Sequence, residues 1–418
     1  MFNLVEALNY RCLRHVRQPM ERFHTLVGPN ASGKSTFLDV VRLLSDLVRP
    51  EGLEAALHKR VPSWRDLVWM KEDRPFELAV EATIPEEKRE GLENSNWDTC
   101  RYQVRIGQNE TTEPVSILDE TLLLKHHMEV RSNGQTALFP NYGRSIPETI
   151  CVGKKKSSTK TVVSKRPDGN YNIYGETGAG WNHAFKMGPQ RSALANLPED
   201  ESKFAASTWF KRMLTGGIDF LKLDSESMRR PSPPGKGAAF QPDGSNLPWV
   251  IRNLKEKHPE KLKQWVRHVR TSLPDVETVG THVRDEDRHC YLQVQYQSGV
   301  EVPSWGLSDG TLRLFALTLL PYLPDVQGAF LVEEPENGIH PSAVETVHES
   351  LSSVYDAQVL AATHSPVFLS STRPEDLLCF AQDDEGKTDV VKGTDHPRLQ
   401  TWQRETDLGT LFAGGVLG

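Results

Sequence analysis

Nine residues, Gly28-Pro29-Asn30-Ala31-Ser32-Gly33-Lys34-Ser35-Thr36, limit what this chain can fold into more than any other stretch. They match the spacing of a phosphate-binding loop. The apolar run Phe23 to Val27 before them predicts a buried strand. After them Phe37, Val40, Val41, Leu44 and Val48 fall on one face of a predicted helix. A strand, a glycine loop and a helix in that order bring bare amides and the positive end of a helix dipole to the loop. Gly28 and Gly33 let the backbone wrap closely around phosphate oxygens. Lys34 is expected to reach β- and γ-phosphates and the Ser35 hydroxyl to hold Mg²⁺, with Asn30 and Thr36 completing the nucleotide-binding set.

The other half of such a site is read near residue 300. Trp305-Gly306-Leu307-Ser308-Asp309-Gly310-Thr311 precedes a helical pattern with Leu312, Phe315, Ala316 and Leu319 on one face. Ser308 suits a helix N-cap, and a helix headed by serine and glycine can bind phosphate. The apolar run Gly328 to Val332 ends in Glu333 and Glu334, followed by Pro335-Glu336-Asn337-Gly338. A buried strand delivering acids to its C-terminal end is how a doubly wound sheet presents groups to a ligand. Glu333 is expected to orient the metal shell and Glu334 to polarise an attacking water. A further apolar strand, Gln358 to Ala362, ends in Thr363-His364-Ser365-Pro366, which makes His364 a candidate γ-phosphate sensor.

Composition restricts the setting. At 37% hydrophobic and 25% charged, the 418 residues resemble an ordinary globular protein. The net charge of −7 gives no bulk basic signature for nucleic acid. Five scattered cysteines without metal-ligand spacing read as reduced thiols in a cytosolic protein. No signal peptide is read at the start, and no apolar run reaches membrane-span length, so a cytoplasmic location is expected.

Together the phosphate loop, Ser308-Asp309-Gly310-Thr311, Glu333-Glu334-Pro335-Glu336-Asn337-Gly338 and Thr363-His364-Ser365-Pro366 resemble the ABC-type ATPase heads of the SMC, RecF and OLD group. The resemblance is strongest to prokaryotic OLD-like "AAA family ATPase" proteins, many encoded in anti-phage defence operons. It covers roughly residues 1–50 and 240–380. It implies an α/β ABC-type head with a mixed sheet, split N- and C-terminal ATPase segments, an inserted α/β middle region and no long coiled coil. The expected divisions are 1–100, 101–275 and 276–418. The resemblance further implies ATP and Mg²⁺ as ligands, and an ATP-sandwich homodimer or higher even oligomer. Lys34, Ser35, Glu333, Glu334 and His364 would then serve one nucleotide, and Ser308 and Gly310 the partner's. Asn337 would meet the dimer axis. Gln190 is the candidate for the expected glutamine loop, and Tyr10-Arg11 for a position beside the nucleotide. Two departures stand out against the transporter pattern: Asp309 and Thr311 in the signature, and Glu333 in place of aspartate.

The middle is less decisive. Thr161-Val162-Val163 and Tyr171-Asn172-Ile173-Tyr174 flank Gly169-Asn170 and suggest a hairpin. Lys154, Lys155, Lys156, Lys160, Lys165 and Arg166 form either a solvated loop or a contact for a DNA or RNA backbone. Leu262, Trp265, Val266 and Val269 follow helical spacing with Lys and Arg elsewhere, which suits a lid or dimer element. The stretch after Pro366 is expected to be too short for the TOPRIM nuclease domain of OLD proteins, so a separate effector, a nuclease or toxin, is the expected partner. Asp383-Asp384-Glu385 reads as an acidic turn, and the apolar tail from Leu408 is expected to dock on the ATPase body or on that partner. Two other roles stay open: a RecF- or SMC-like repair ATPase binding DNA directly, and a non-hydrolysing nucleotide-gated scaffold.

Overall fold

Phe2–Tyr10 and Leu13–Pro19 pair as an antiparallel hairpin and begin the largest of the three sheets among the described residues. The computed structural model describes all residues except 110–113, 128–138, 141–144, 153–157, 168–169, 178–181, 325, 401–406 and 418. Eight strands lie in the order Leu13–Pro19, Phe2–Tyr10, Phe76–Thr83, Thr99–Gly107, Ser116–Lys125, Thr159–Lys165, Asn170–Tyr174 and Asn182–Lys186. Every neighbouring pair is antiparallel. The division expected at residue 100 falls inside the strand Thr99–Gly107, where Cys100 pairs with Ala82 of the neighbouring strand. The predicted hairpin pairs Thr159–Lys165 with Asn170–Tyr174; its Gly169 lies outside the described residues.

The second sheet holds short, nearly all-apolar strands, the composition of strands covered on both faces. Its order is Ile218–Leu221, Ala329–Glu333, Gln358–Ala362, Phe23–Val27, Leu377–Gln382 and Thr388–Lys392. The first five run parallel and the last is antiparallel, so the sheet is mixed. Parallel pairing places the C-terminal ends at Val27, Glu333 and Ala362 along one edge, where ligands bind in open α/β sheets.

The helix Lys34–Val48 lies between the two sheets, with Phe37, Val41 and Leu44 buried in the same core as Leu78, Tyr102 and Val104. A second core gathers around Trp265 and Phe315, whose rings lie 5.7 Å apart. A three-stranded antiparallel sheet, Val276–Val283, Cys290–Tyr296 and Glu301–Pro303, joins that core. Among the described residues the longest helix, Glu201–Gly216, has 16 residues, so they hold no long coiled coil. The tail helix Leu408–Ala413 packs on the helix Pro366–Ser370, with Leu408 and Leu417 buried beside Leu369 and Leu377. Of the two docking places expected for the tail, it occupies the body of its own chain.

Candidate functional site

The phosphate loop leaves the buried strand Phe23–Val27 and turns through Gly28, where a side chain is sterically forbidden: a Cβ would sit 2.2 Å from the Phe380 carbonyl oxygen. Gly33, at φ 104°, caps the following helix without a side chain, so the first helix amides remain open to an anion. Lys34 donates to the carbonyls of Gly28 at 2.8 Å and Pro29 at 2.9 Å. Burial lowers its pKa to about 8, against the opposing pull of Glu333 and Glu334. Ser35, one residue on, is exposed, and its neighbour Thr36 is half-buried.

The two acids end a strand in the same sheet. Glu334 adopts a left-handed backbone, φ 49°, unusual for a residue with a side chain, and its amide donates to Ala362 O at 2.8 Å. Asn337 N then closes a turn on Glu334 O at 2.9 Å. One Glu336 oxygen accepts from Thr363 Oγ1 at 2.7 Å and from the His364 amide at 3.2 Å. Its other oxygen is buried and has no hydrogen-bond partner. The His364 pKa is lowered, first by burial and then by Lys34, with Glu334 and Glu336 acting in opposition.

Lys34, Ser35, Glu333, Glu334, Asn337 and His364 line one cleft of about 680 Å³. Ser308 and Gly310 lie outside its lining. The Ser308 hydroxyl accepts from Thr311 N at 3.1 Å and caps an exposed helix start, Asp309–Leu319. Gly310 is pressed against the loop after the acids: a Cβ there would meet Gly338 O at 2.5 Å. Arg313 ties the same helix to Asn337 O at 3.3 Å.

Other expected residues lie elsewhere. The Gln190 amide donates to Val115 O at 3.3 Å, while its carbonyl accepts from Leu53 N at 3.2 Å. Both bonds tie its loop to neighbouring backbone, and the residue is not in the lining of the cleft. Tyr10 is fully buried and donates to Asp39 at 2.6 Å, so it packs inside the fold rather than presenting its ring to a ligand. In the basic run, Lys154, Lys155 and Lys156 lie outside the described residues. Lys160 pairs with Glu93 at 2.5 Å and Arg166 with Asp119 at 3.1 Å. Lys165 is buried, donating to three carbonyls. The sequence reading missed Arg42, Lys222, Arg313 and Phe220 in the cleft wall; Arg42 lies 4.8 Å over the Phe220 ring. It also missed the Glu336 link to His364, although Glu336 stands within the acidic motif.

Several known proteins are similar to this chain in sequence or fold. A family model described as "AAA domain, putative AbiEii toxin, Type IV TA system" matches residues 172–370. An OLD nuclease of Thermus scotoductus is 18% identical over 99% of this chain and 68% of its own length. The Old nuclease of Escherichia phage P2 is 22% identical over 46% of this chain and 35% of its own. Among solved structures, an Smc head bound to the C-terminal winged-helix domain of ScpA aligns with TM-score 0.52 at 12% identity, covering 93% of this chain and 96% of that one. An Smc head bound to the C-terminal domain of ScpA, derived from Pyrococcus furiosus, gives 0.51 at 11% identity, covering 93% and 95%. The chain is similar to SMC- and OLD-like P-loop ATPases. Its fold is that of an ABC-type ATPase head, as expected from the motifs. Among the described residues, no helix is long and apolar enough to cross a membrane.

Proposed function

We propose that this chain is an ATP-hydrolysing switch whose two heads close around ATP. The observation that carries the reading is the meeting of Lys34, Ser35, Glu333, Glu334 and His364 in one cleft, while Ser308 heads an exposed helix outside it. Lys34 would exchange its bonds to Gly28 O and Pro29 O for β- and γ-phosphate oxygens. The side-chain-free helix start would take further phosphate oxygens. Gly28, Asn30, Gly33 and Thr36 would shape and close the loop around them.

The donor set fits Mg²⁺ only alongside phosphate. Among the described residues no three His, Cys, Asp or Glu side chains are placed to hold a metal. Ser35 and Glu333 would supply one hydroxyl and one carboxylate, the sparse protein share usual for Mg²⁺ at a nucleotide. The metal would neutralise charge on the transferred phosphoryl group. Glu334 would hold and polarise the attacking water, and His364, its pKa lowered, would donate a hydrogen bond to the γ-phosphate from its neutral ring. Ser308 and Gly310 of a second copy would complete the site, an isologous two-fold arrangement.

In the cell, we assign this switch the sensor or scaffold part of an anti-phage system in the cytoplasm, with the output delivered by a separate nuclease or toxin. Support comes from the nuclease names of the relatives and the toxin-system description of the matching family. The chemical core of the proposal is tested by phosphate release from purified wild type and Glu334→Gln with Mg²⁺ and ATP. Wild type should release phosphate, and the variant should bind ATP with similar affinity while releasing about 100-fold less. Equal turnover in the two proteins would refute the role of Glu334. No turnover in wild type, with ATP bound, would leave a nucleotide-gated scaffold instead.

A further inference from the structure

One surface outside the cleft has a charge opposite to that of the chain as a whole. The helices Leu247–Lys257 and Pro259–Ser272 follow each other across the single residue His258. Residues 252–270 hold seven Lys or Arg against two Glu, a net +5 in a chain of net −7. The two acids are already engaged, Glu256 with Arg252 at 2.9 Å and Glu260 with Lys263 at 2.8 Å. Among the described residues, Lys255, Lys257, Lys261, Arg267 and Arg270 have neither a salt bridge nor a side-chain hydrogen bond. All but Lys261, which is half-buried, are exposed. The large sheet differs in this respect: there Arg101, Lys125, Lys160 and Arg166 each meet a carboxylate.

We propose that this face is a docking surface for the phosphate backbone of double-helical nucleic acid. Lys263, Arg267 and Arg270 share the exposed face of the second helix and, with exposed Lys255 and Lys257 on the helix before it, form an electrostatic footprint for a polyanion. A protein partner fits less well, because protein interfaces are depleted in Lys at their centres and anchored by buried aromatic residues. Here the exposed face of the second helix offers Glu260, Lys263, Gln264, Arg267, Arg270 and Thr271, with no large apolar side chain. A membrane surface would favour apolar side chains for insertion. Single strands would favour exposed aromatics for stacking, whereas Trp265 in this helix is fully buried.

The opposite face of the same helix packs under the helix that Ser308 heads. Trp265 donates to Thr318 Oγ1 at 3.0 Å, and His268 lies 3.0 Å from the Tyr322 hydroxyl. Duplex binding would therefore bear on the element proposed to complete a partner's ATP site. The docking surface itself stands independently of the ATPase reading. Of the Lys154–Arg166 run, the described members Lys160 and Arg166 are paired and Lys165 is buried.

The test is fluorescence anisotropy of a labelled random-sequence DNA duplex against the full chain over a salt series. Three proteins are compared: wild type, Lys263→Gln/Arg267→Gln/Arg270→Gln and Lys160→Gln/Arg166→Gln. Wild type and the second variant should bind alike. The first variant should bind at least about ten-fold more weakly, and its salt slope should be shallower by roughly 2 to 3. Matching melting temperatures and unchanged fluorescent-ATP binding would confirm that the first variant is folded. Duplex binding unaffected by the three substitutions would overturn the proposal. So would a wild type that ignores duplex, or one that prefers polyglutamate, phosphatidylserine vesicles or single-stranded DNA.

Discussion

Lys34 and Lys165 are both buried lysines, and they illustrate two ways this molecule uses charge. Lys165 donates to Gly188 O, Pro189 O and Arg191 O at 3.1, 3.0 and 2.6 Å, fully enclosed at the large sheet. Lys34 also donates to backbone carbonyls, but it lines an open cleft beside two carboxylates and a helix start without a side-chain cap. Burial lowers the pKa of both. The large sheet repeats the first pattern. Arg101 lies between Glu6 at 2.8 Å and Glu81 at 2.9 Å, and Glu120 accepts from Ser192 Oγ at 2.6 Å and Ala193 N at 2.7 Å. A buried charge whose partners all come from its own chain holds the fold together. A charge at an open cleft, bonded to carbonyls it can give up, is placed to change partners.

The sharpest way to break this comparison is to remove each ammonium. Lys34→Ala should weaken ATP binding by about 100-fold, the scale of losing charge-assisted hydrogen bonds, with little change in stability. Lys165→Met should do the reverse, costing about 3 kcal/mol of stability by orphaning buried carbonyls while ATP affinity is kept. Fluorescent-ATP titration and urea unfolding of both variants check the pair. If Lys165→Met loses ATP binding while still folded, the division of roles is wrong.

A second test concerns Ser308. Ser308→Arg should leave ATP binding intact and lower turnover by about 100-fold, because in the proposed dimer the altered group would serve the partner's nucleotide. Mixing it with Lys34→Ala should restore part of the activity, since a mixed dimer keeps one site built from unaltered halves. Phosphate release over a mixing series would show a maximum; a monotonic fall would contradict the shared site.

Glu336→Gln should act more mildly. The carboxylate holds the Thr363 hydroxyl and the His364 amide, so an amide in its place should loosen the His364 loop. We expect about a ten-fold fall in kcat with KM nearly unchanged. A change confined to KM would indicate a binding role instead.

The smallest expected effect is on pH. Free Lys34 has its pKa lowered to about 8, and phosphate favours the charged ammonium. ATP binding should therefore take up a proton above that pH, and affinity should fall as pH rises through and beyond about 8, by up to about ten-fold per unit. Below that pH, the Lys34 contribution should be flat. Isothermal titration in buffers of different ionisation enthalpy measures the uptake directly.

How much of this was legible in the sequence follows from which contacts are local. Gly28 to Thr36 declares itself because strand, loop and helix are consecutive. Glu333, Glu334 and His364 could be read because each ends or follows a short apolar strand, and parallel pairing lines up such ends. Arg42, Lys222 and Arg313 carry no such mark. Arg42 and Arg313 reach the cleft through the rotation of two helices, and Lys222 through the docking of Ile218–Leu221 at the sheet edge. Lys165 looked like part of an exposed basic run because nothing nearby in sequence announces the three carbonyls, from residues 188 to 191, that enclose it. Gln190 drew attention for its residue type and loop position, yet its bonds go to Val115 and Leu53. The continuity of the large sheet across residue 100 rests likewise on strand pairing that composition does not reveal.

The central claim, that one chain supplies the cleft and a second closes it with Ser308, is tested most directly by the solution mass of Glu334→Gln with and without Mg²⁺ and ATP. The account predicts a monomer mass without nucleotide and a stable doubling with ATP, abolished by adding Ser308→Arg. A mass that does not respond to ATP, in a protein that demonstrably binds it, would contradict the account.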